Sequence, residues 1–285
     1  VTVSIQDITI TASATEVCAG ESVDLSVTGS VSTSLQFESD ENTLLLLHFE
    51  DSSTPYVIDS SSYQNHGSVN GTIQYTDSGI PYPSQSLSFT PGNYVRFNNI
   101  SSYNNLESMT IEFWAYVTNH CQDESIIGTE YFSTGWHFYP GLWAMIGGPT
   151  DSSTISNTSA HGGCDNIVSS GEWFHVALQY DGSSTENQYK LFINGQLYEQ
   201  ITGDIPAIGD GGDIVINRHT WASGSSSRLT GAIDEVRFSN IARYSQNFNP
   251  SSTLSYTWST GETTEAIAVT PSETTEYWVD VTTNG

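Results

Sequence analysis

Basic residues are what this chain has least of. Six Lys and Arg stand against 32 Asp and Glu, a formal charge of −26, and Lys190 is the single lysine. A protein that grips nucleic acid neutralises phosphates with Lys and Arg, so that class is excluded. Attachment to an anionic membrane surface is disfavoured for the same reason. Long apolar runs are missing too. Leu44 to Leu47 is only a buried strand start, and membrane insertion is not expected. No amphipathic pattern of helical length appears, and no signal peptide opens at Val1. The chain starts and stops on strand-like sequence, as expected for part of a longer, multidomain secreted chain. Cysteine is scarce, with Cys18, Cys121 and Cys164 alone.

What is present favours strands and turns. Thr, Ser, Gly and Asn dominate, and aromatics reach 12% of 285 residues, enough to fill cores without helices. The expected class is all-β. So many acids need screening, which fits a salty or calcium-rich medium outside the cell; solubility alone is the other reading.

Val1 to Thr33 holds two alternating runs, VTVSIQDITIT and ESVDLSVTG, too short to close a core. Matching pieces lie at the far end in YTWSTGETTEAIAVTPSETTEYWVDV, where Trp258 and Trp278 are expected in the core. With VCAGESVDLSVTG, this stretch resembles the PKD- or Ig-like repeats of secreted and surface proteins of Bacteroidetes-type bacteria. About two hundred residues separate the halves. The simplest account is a second domain inserted in a loop of the first.

The inserted segment opens with NTLLLLHFEDSS and runs through VIDSSSYQNHG, SMTIEFWAYV, EWFHVALQYDG and QYKLFINGQLYEQ, with Asn194-Gly195 as a hairpin turn. It closes on GAIDEVRFSNIARYSQNFNP. In order, these blocks resemble the concanavalin A-like, laminin G-like jelly-roll family. The expected architecture is a concanavalin A-like jelly-roll β-sandwich inserted into a split Ig-like β-sandwich. Residues 1–38 and 253–285 are the Ig-like halves and 41–250 the laminin G-like domain.

The closing strand carries an awkward acid. Period two places Ala232, Asp234, Val236 and Phe238 on one face and Ile233, Glu235, Arg237 and Ser239 on the other. A half-buried Asp234 needs a cation or N–H donors. The resemblance implies the cation: a structural calcium on Asp234, completed near Glu50, Asp51, Asp59 and Asn65. The alternative is that Asp234 accepts backbone N–H groups of a neighbouring loop. The GDGGD run, with Asp210 and Asp213, reads as a turn. Cys121 and Cys164 fall in loop-like sequence. A disulfide between them, expected in a secreted chain, competes with a zinc site using His120 and His161. Cys18 is expected to be unpaired.

Catalysis is not expected. Glycosidases of the resembled fold carry an E-x-D-x-x-E strand with alternate carboxylates; here Glu112 stands alone in its strand. There is no G-x-S-x-G elbow. Aromatics in turns and at strand ends are better ligand candidates, because sugar C–H faces stack on them. Tyr131, Trp136, Trp143, Arg218, His219 and Trp221 form the candidate set. The expected function is non-catalytic recognition of a glycan or polysaccharide by a secreted or cell-surface bacterial protein, an adhesin or an accessory module. A structural spacer or protein-binding module is the alternative, and a glycoside hydrolase-like enzyme a third.

Overall fold

The structure is a computed structural model. It describes residues 4–5, 9–28, 31–32, 36–52, 55–77, 85–89, 91–118, 125–130, 135–139, 143–146, 154–155, 168–202, 212–218, 230–248, 250, 253–264 and 266–284. The chain divides into two compact units. One is built from both ends, Val1–Leu35 with Asn249–Gly285; the other is Gln36–Phe248.

In chain order the strands begin with β1 (Ser4–Ile5), β2 (Thr9–Ala12), β3 (Val23–Thr28) and β4 (Val31–Ser32). The second unit holds β5 (Thr43–Leu47), β6 (Tyr56–Val57), β7 (Gly67–Asn70), β8 (Gln74–Asp77), β9 (Gln85–Phe89) and β10 (Tyr94–Phe97). It continues with β11 (Ser108–Val117), β12 (Ile127–Thr129), β13 (Trp136–Tyr139), β14 (Trp143–Ile146) and β15 (Thr154–Ile155). It ends with β16 (Trp173–Asp181), β17 (Tyr189–Ile193), β18 (Gln196–Ile201), β19 (Ile214–Ile216) and β20 (Gly231–Ser239). The first unit resumes with β21 (Thr253–Trp258), β22 (Ala266–Val269) and β23 (Val279–Asn284). Among the described residues the only helical element is the 3₁₀ turn Ser101–Tyr103.

In the first unit β2-β3-β22 form one sheet and β21-β23 another. Val23, Leu25, Val27, Ile267 and Val269 pack around Trp258, whose indole N–H donates to Thr264 O. Trp278 departs from expectation: it is 53% exposed and outside this core. Cys18 is a free, exposed thiol.

The second unit is a sandwich of two eight-stranded sheets. One, the β10 sheet, runs β15-β14-β13-β12-β19-β10-β7-β6; the other, the β11 sheet, runs β18-β17-β16-β11-β20-β9-β8, with β5 also on β20. Alternation builds the core between them. Ile111, Phe113, Ala115 and Val117 of β11 and Val176 and Leu178 of β16 meet Val95, Phe97, Ile127, Phe138, Ile214 and Ile216 of the facing sheet, burying apolar area worth about 25 cal/mol per Å². Asn194 (φ 50) and Gly195 (φ 72) form the two-residue β17–β18 turn, the left-handed pair that a tight hairpin demands.

Strand β20 corrects the period-two expectation. Trp114 pairs with Asp234 and Glu112 with Arg237, so β20 carries an extra residue between these pairs. Glu235 takes φ 46 at that point, a β-bulge that re-aims the strand. Ile233, Val236 and Phe238 all enter the core. Asp234 lies instead on the opposite face, across from Trp114. The bulge is also where β20 changes partner, from β9 at Gly231–Ile233 to β5 at Val236–Ser239.

Candidate functional site

The two outer faces of the sandwich differ in kind. On the β11 sheet, register places Thr110, Glu112 and Trp114 beside Gln179, Ala177 and His175. Glu112 is fully buried. Arg237 grips it, Nε to Oε1 at 2.9 Å and Nη2 to Oε1 at 2.8 Å, and the Tyr244 hydroxyl donates to Oε2 at 2.5 Å. Burial alone would raise the Glu112 pKa, but Arg237, His175 and Tyr244 hold it at about 2. His175 Nε2 lies 3.6 Å from Glu112. Its ring is boxed by Phe37, Trp114 and Phe248, and burial pushes its pKa down, so the imidazole is neutral.

Two segments cover this face. Tyr244 and Phe248 stack at 3.6 Å and 6°, Phe248 N–H donates to Gly195 O, and Tyr244 N–H donates to Gln179. From the other side Phe37 lies under the Arg237 guanidinium at 4.6 Å, and Arg243 bonds Asp40 through both Nη atoms. Around Glu112 the arrangement closes the face over a charge, while Tyr116, Trp173 and Lys190 elsewhere on it are half-buried.

The β10 sheet carries a continuous cross-strand row on its outer face. Tyr56, Ser68, Arg96, Val215, Gly128 and His137 are successive register partners, and the register continues through Met145 and Thr154. The row is buried at His137 and open at Tyr56, which is 37% exposed. Gly128 is required beneath the histidine, since a Cβ there would lie 2.3 Å from His137 Nδ1. Arg96 is half-buried and pairs with Asp213 Oδ2 at 2.9 Å and Glu130 Oε1 at 3.0 Å. Burial would lower its pKa; the two acids raise it. Asp213 also accepts Asn99 N–H at 2.7 Å, so part of the GDGGD run anchors an arginine. Next to the row, Arg218 lies over the Tyr94 ring at 4.6 Å, and Asn217 (φ 59) donates to Asn93 O at 2.8 Å. A guanidinium on an aromatic face, amides and a half-open row suit a polar, ring-bearing ligand.

The sequence-predicted ligand residues divide accordingly. Arg218 sits on this face and is half-buried. Trp143 pairs in register with Tyr139 of the same sheet. Trp136 is in the core, 1% exposed, packed on Phe238 and bordering a crevice too tight for water. Tyr131, His219 and Trp221 lie outside the described residues, as do Cys121 and Cys164 with His120 and His161. Sequence reasoning missed Tyr94, Arg96 and Asp213, although the alternation in NYVRF already sets Tyr94 and Arg96 on one face.

The residues expected around calcium do not form one set. Asp59 is 1% exposed; its carboxylate accepts N–H groups of Leu46, Ser61 and Asn65 and the Ser61 hydroxyl, at 2.8–3.0 Å. Donors fill the place of a cation. The Asn65 side-chain NH2 donates to Asn98 O and the Tyr103 hydroxyl. Asp234 is buried and accepts the Glu235 N–H at 2.8 Å. Asp51 is half-buried and bears on the Tyr75 hydroxyl. Glu50 is exposed and accepts Gln85 N–H. Asp234, Glu50 and Glu235 all bear on His48 and, against the effect of burial, raise its pKa. Among the described residues no three His, Cys, Asp or Glu side chains are placed to hold a metal.

A family model described as the concanavalin A-like lectin/glucanases superfamily, Laminin_G_3, matches residues 89–248, more than half the chain. The chain belongs to this superfamily. No curated protein matches it in sequence. Among solved structures it is similar to botulinum neurotoxin type C, whose cell entry depends on two ganglioside molecules: TM-score 0.50, 18% identity, covering 72% of this chain and 49% of that one. It is similar to the botulinum neurotoxin DC binding domain in complex with rat synaptotagmin II: TM-score 0.51, 18% identity, covering 72% and 49%. Domain 4 of AbnA, a GH43 extracellular arabinanase of Geobacillus stearothermophilus in complex with arabinotriose, gives TM-score 0.49 and 17% identity, covering 70% of this chain and 93% of that one. The chain thus spans about half the length of the neurotoxin chains. The two neurotoxin likenesses show the all-β sandwich fold alone.

Proposed function

We propose that this protein recognises a glycan without chemistry, on the outer face of the β10 sheet. One observation carries the reading: Arg218 rests on Tyr94 beside the Tyr56–His137 row, while the opposite outer face is closed over Glu112. Sugar rings stack on aromatic faces, and guanidinium and amide groups bond their hydroxyls. A ganglioside-dependent neighbour of the same fold is consistent with it. Tyr131, His219 and Trp221, outside the described residues, stay in the candidate set on sequence grounds alone.

Catalysis is disfavoured by the state of Glu112. A glycosidase acid must reach the glycosidic oxygen, whereas this carboxylate is locked by Arg237 and Tyr244 under the Tyr244–Phe248 stack. For calcium, Asp59 is the weakest member of the expected set, its carboxylate being taken by four donors, and the proposal keeps Asp234, Glu50, Asp51 and the Asn65 carbonyl oxygen. With so few carboxylates, carbonyl and water oxygens would supply most of the coordination, and the ion would tie β20 to β5. The two-ended unit is proposed to be Ig-like, and the whole to work at a bacterial surface or in secretion, on the motifs given above.

The test is a glycan array probed with the parent chain and with Arg218→Ala and Trp221→Ala. Binding by the parent that both variants weaken is the expected result. A parent chain that binds no glycan sinks the reading. It would favour the protein-binding alternative, for which edge strand β18 offers Leu197 and Tyr198, 38% and 46% exposed.

A further inference from the structure

At the open end of the row, Tyr56 stacks on His66 with ring centroids 5.1 Å apart and planes 17° from parallel. Both side chains are exposed. A single exposed tyrosine is ordinary. This pair is different because a buried scaffold fixes it. His66 Nδ1 accepts the Asp59 N–H at 3.1 Å, so the neutral ring carries its proton on Nε2, as a donor. Asp59, behind it, is the carboxylate saturated by four donors, and Asn65 next to His66 is bonded to Asn98 O and Tyr103. The Asp59–His66 loop is therefore ordered before any ligand arrives, which removes an ordering cost from binding.

We propose that Tyr56 and His66 form a second sugar subsite, so that the β10 sheet takes an extended oligosaccharide rather than one terminal sugar. The inference rests on the glycan reading above. Strand β6 lies two strands from β10 and three from β19, roughly 10 and 14 Å at the ordinary strand spacing. That distance exceeds one pyranose ring, so a ligand touching both Tyr56 and Arg218 must be several linked sugars. Its C–H face stacks on the Tyr56 ring, and a hydroxyl accepts the His66 Nε2–H.

The experiment uses soluble gluco-, xylo-, arabino- and manno-oligosaccharides, from monosaccharide to hexasaccharide, titrated calorimetrically into the full chain. The parent's affinity is expected to rise with chain length. Tyr56→Ala should weaken the hexasaccharide about tenfold and leave the shortest binding sugars unchanged, and Tyr56→Phe should retain the parent value. His66→Ala should lose part of the increment. All three sites are at the surface, and unchanged melting curves confirm that folding is intact. If Arg218→Ala weakens binding while Tyr56→Ala and His66→Ala do not, the second subsite is refuted and the glycan reading stands. If the parent binds none of the series, the second subsite is refuted, and the glycan array alone decides the glycan reading.

Discussion

Glu112 and Arg237 face each other across β11 and β20, the acid fully buried and the guanidinium 14% exposed, 2.8 Å apart at closest approach. A buried pair of this kind is weak evidence of stability, but breaking it is costly. Arg237→Ala leaves Glu112 charged and enclosed, and should destabilise the second unit by about 3–5 kcal/mol in urea unfolding. The double variant Glu112→Leu, Arg237→Met should regain most of that loss. Equal losses in the single and double variants would mean that Arg237 acts through packing on Phe37.

The same cluster sets an acid limit. Held at about 2 in the folded chain against an ordinary 4.5, Glu112 contributes fully above pH 4.5, and the contribution is lost as pH falls towards 2. The amount is about 3 kcal/mol. His175 acts in the same sense: buried and neutral, with its pKa lowered from 6.5, it resists a proton that the unfolded chain accepts. Stability should therefore fall on acidification below pH 6.5 and more steeply below 4.5. Glu112→Gln should be less stable at neutral pH and show a flatter acid slope; a slope equal to the parent's would place the acid sensitivity elsewhere.

The sandwich was legible because its core strands alternate cleanly. SMTIEFWAYV, EWFHVALQYDG and the Asn-Gly turn appear where their patterns put them. The bulge was not legible. Nothing in GAIDEVRF marks Glu235 as the residue that turns left-handed, because the cause is tertiary: β20 changes partner there, from β9 to β5. One extra residue moved Asp234 off the core face. On the proposed face the sequence singled out Arg218, while Trp136 read as a strand-end ring and is core. Glu112 looked solitary because Arg237, His175 and Tyr244 are distant in sequence.

Asp59 tests donor against cation. Asp59→Ala orphans three backbone N–H groups and frees the loop that carries His66. It should cost about 3 kcal/mol or more, by the same amount in calcium and in a chelator. Asp234→Asn should instead remove whatever rise in melting temperature calcium gives the parent. If calcium changes the melting of neither parent nor variant, Asp234 is held within the protein without a metal and the metal proposal falls. A calcium effect lost in Asp59→Ala but kept in Asp234→Asn would return the ion to the loop.

Arg218 on Tyr94 separates recognition from structure. The guanidinium is half-buried on a ring that is itself half-buried, and such a contact is worth about 0.5–1 kcal/mol at an exposed site. Arg218→Ala should therefore shift stability little. A ligand hydroxyl bonded to the guanidinium loses more, because a charge-assisted hydrogen bond contributes about 1.5–3 kcal/mol, or roughly tenfold to a hundredfold in affinity. Tyr94→Leu keeps apolar bulk but removes the ring face, and should weaken glycan binding in the same direction with a similar melting curve. Arg96 serves as the control: its charge is already spent on Asp213 and Glu130, so Arg96→Gln should lower stability more than it lowers affinity. The opposite ranking, with Arg96→Gln abolishing binding and Arg218→Ala harmless, would move the contact from the rim to the centre of the sheet.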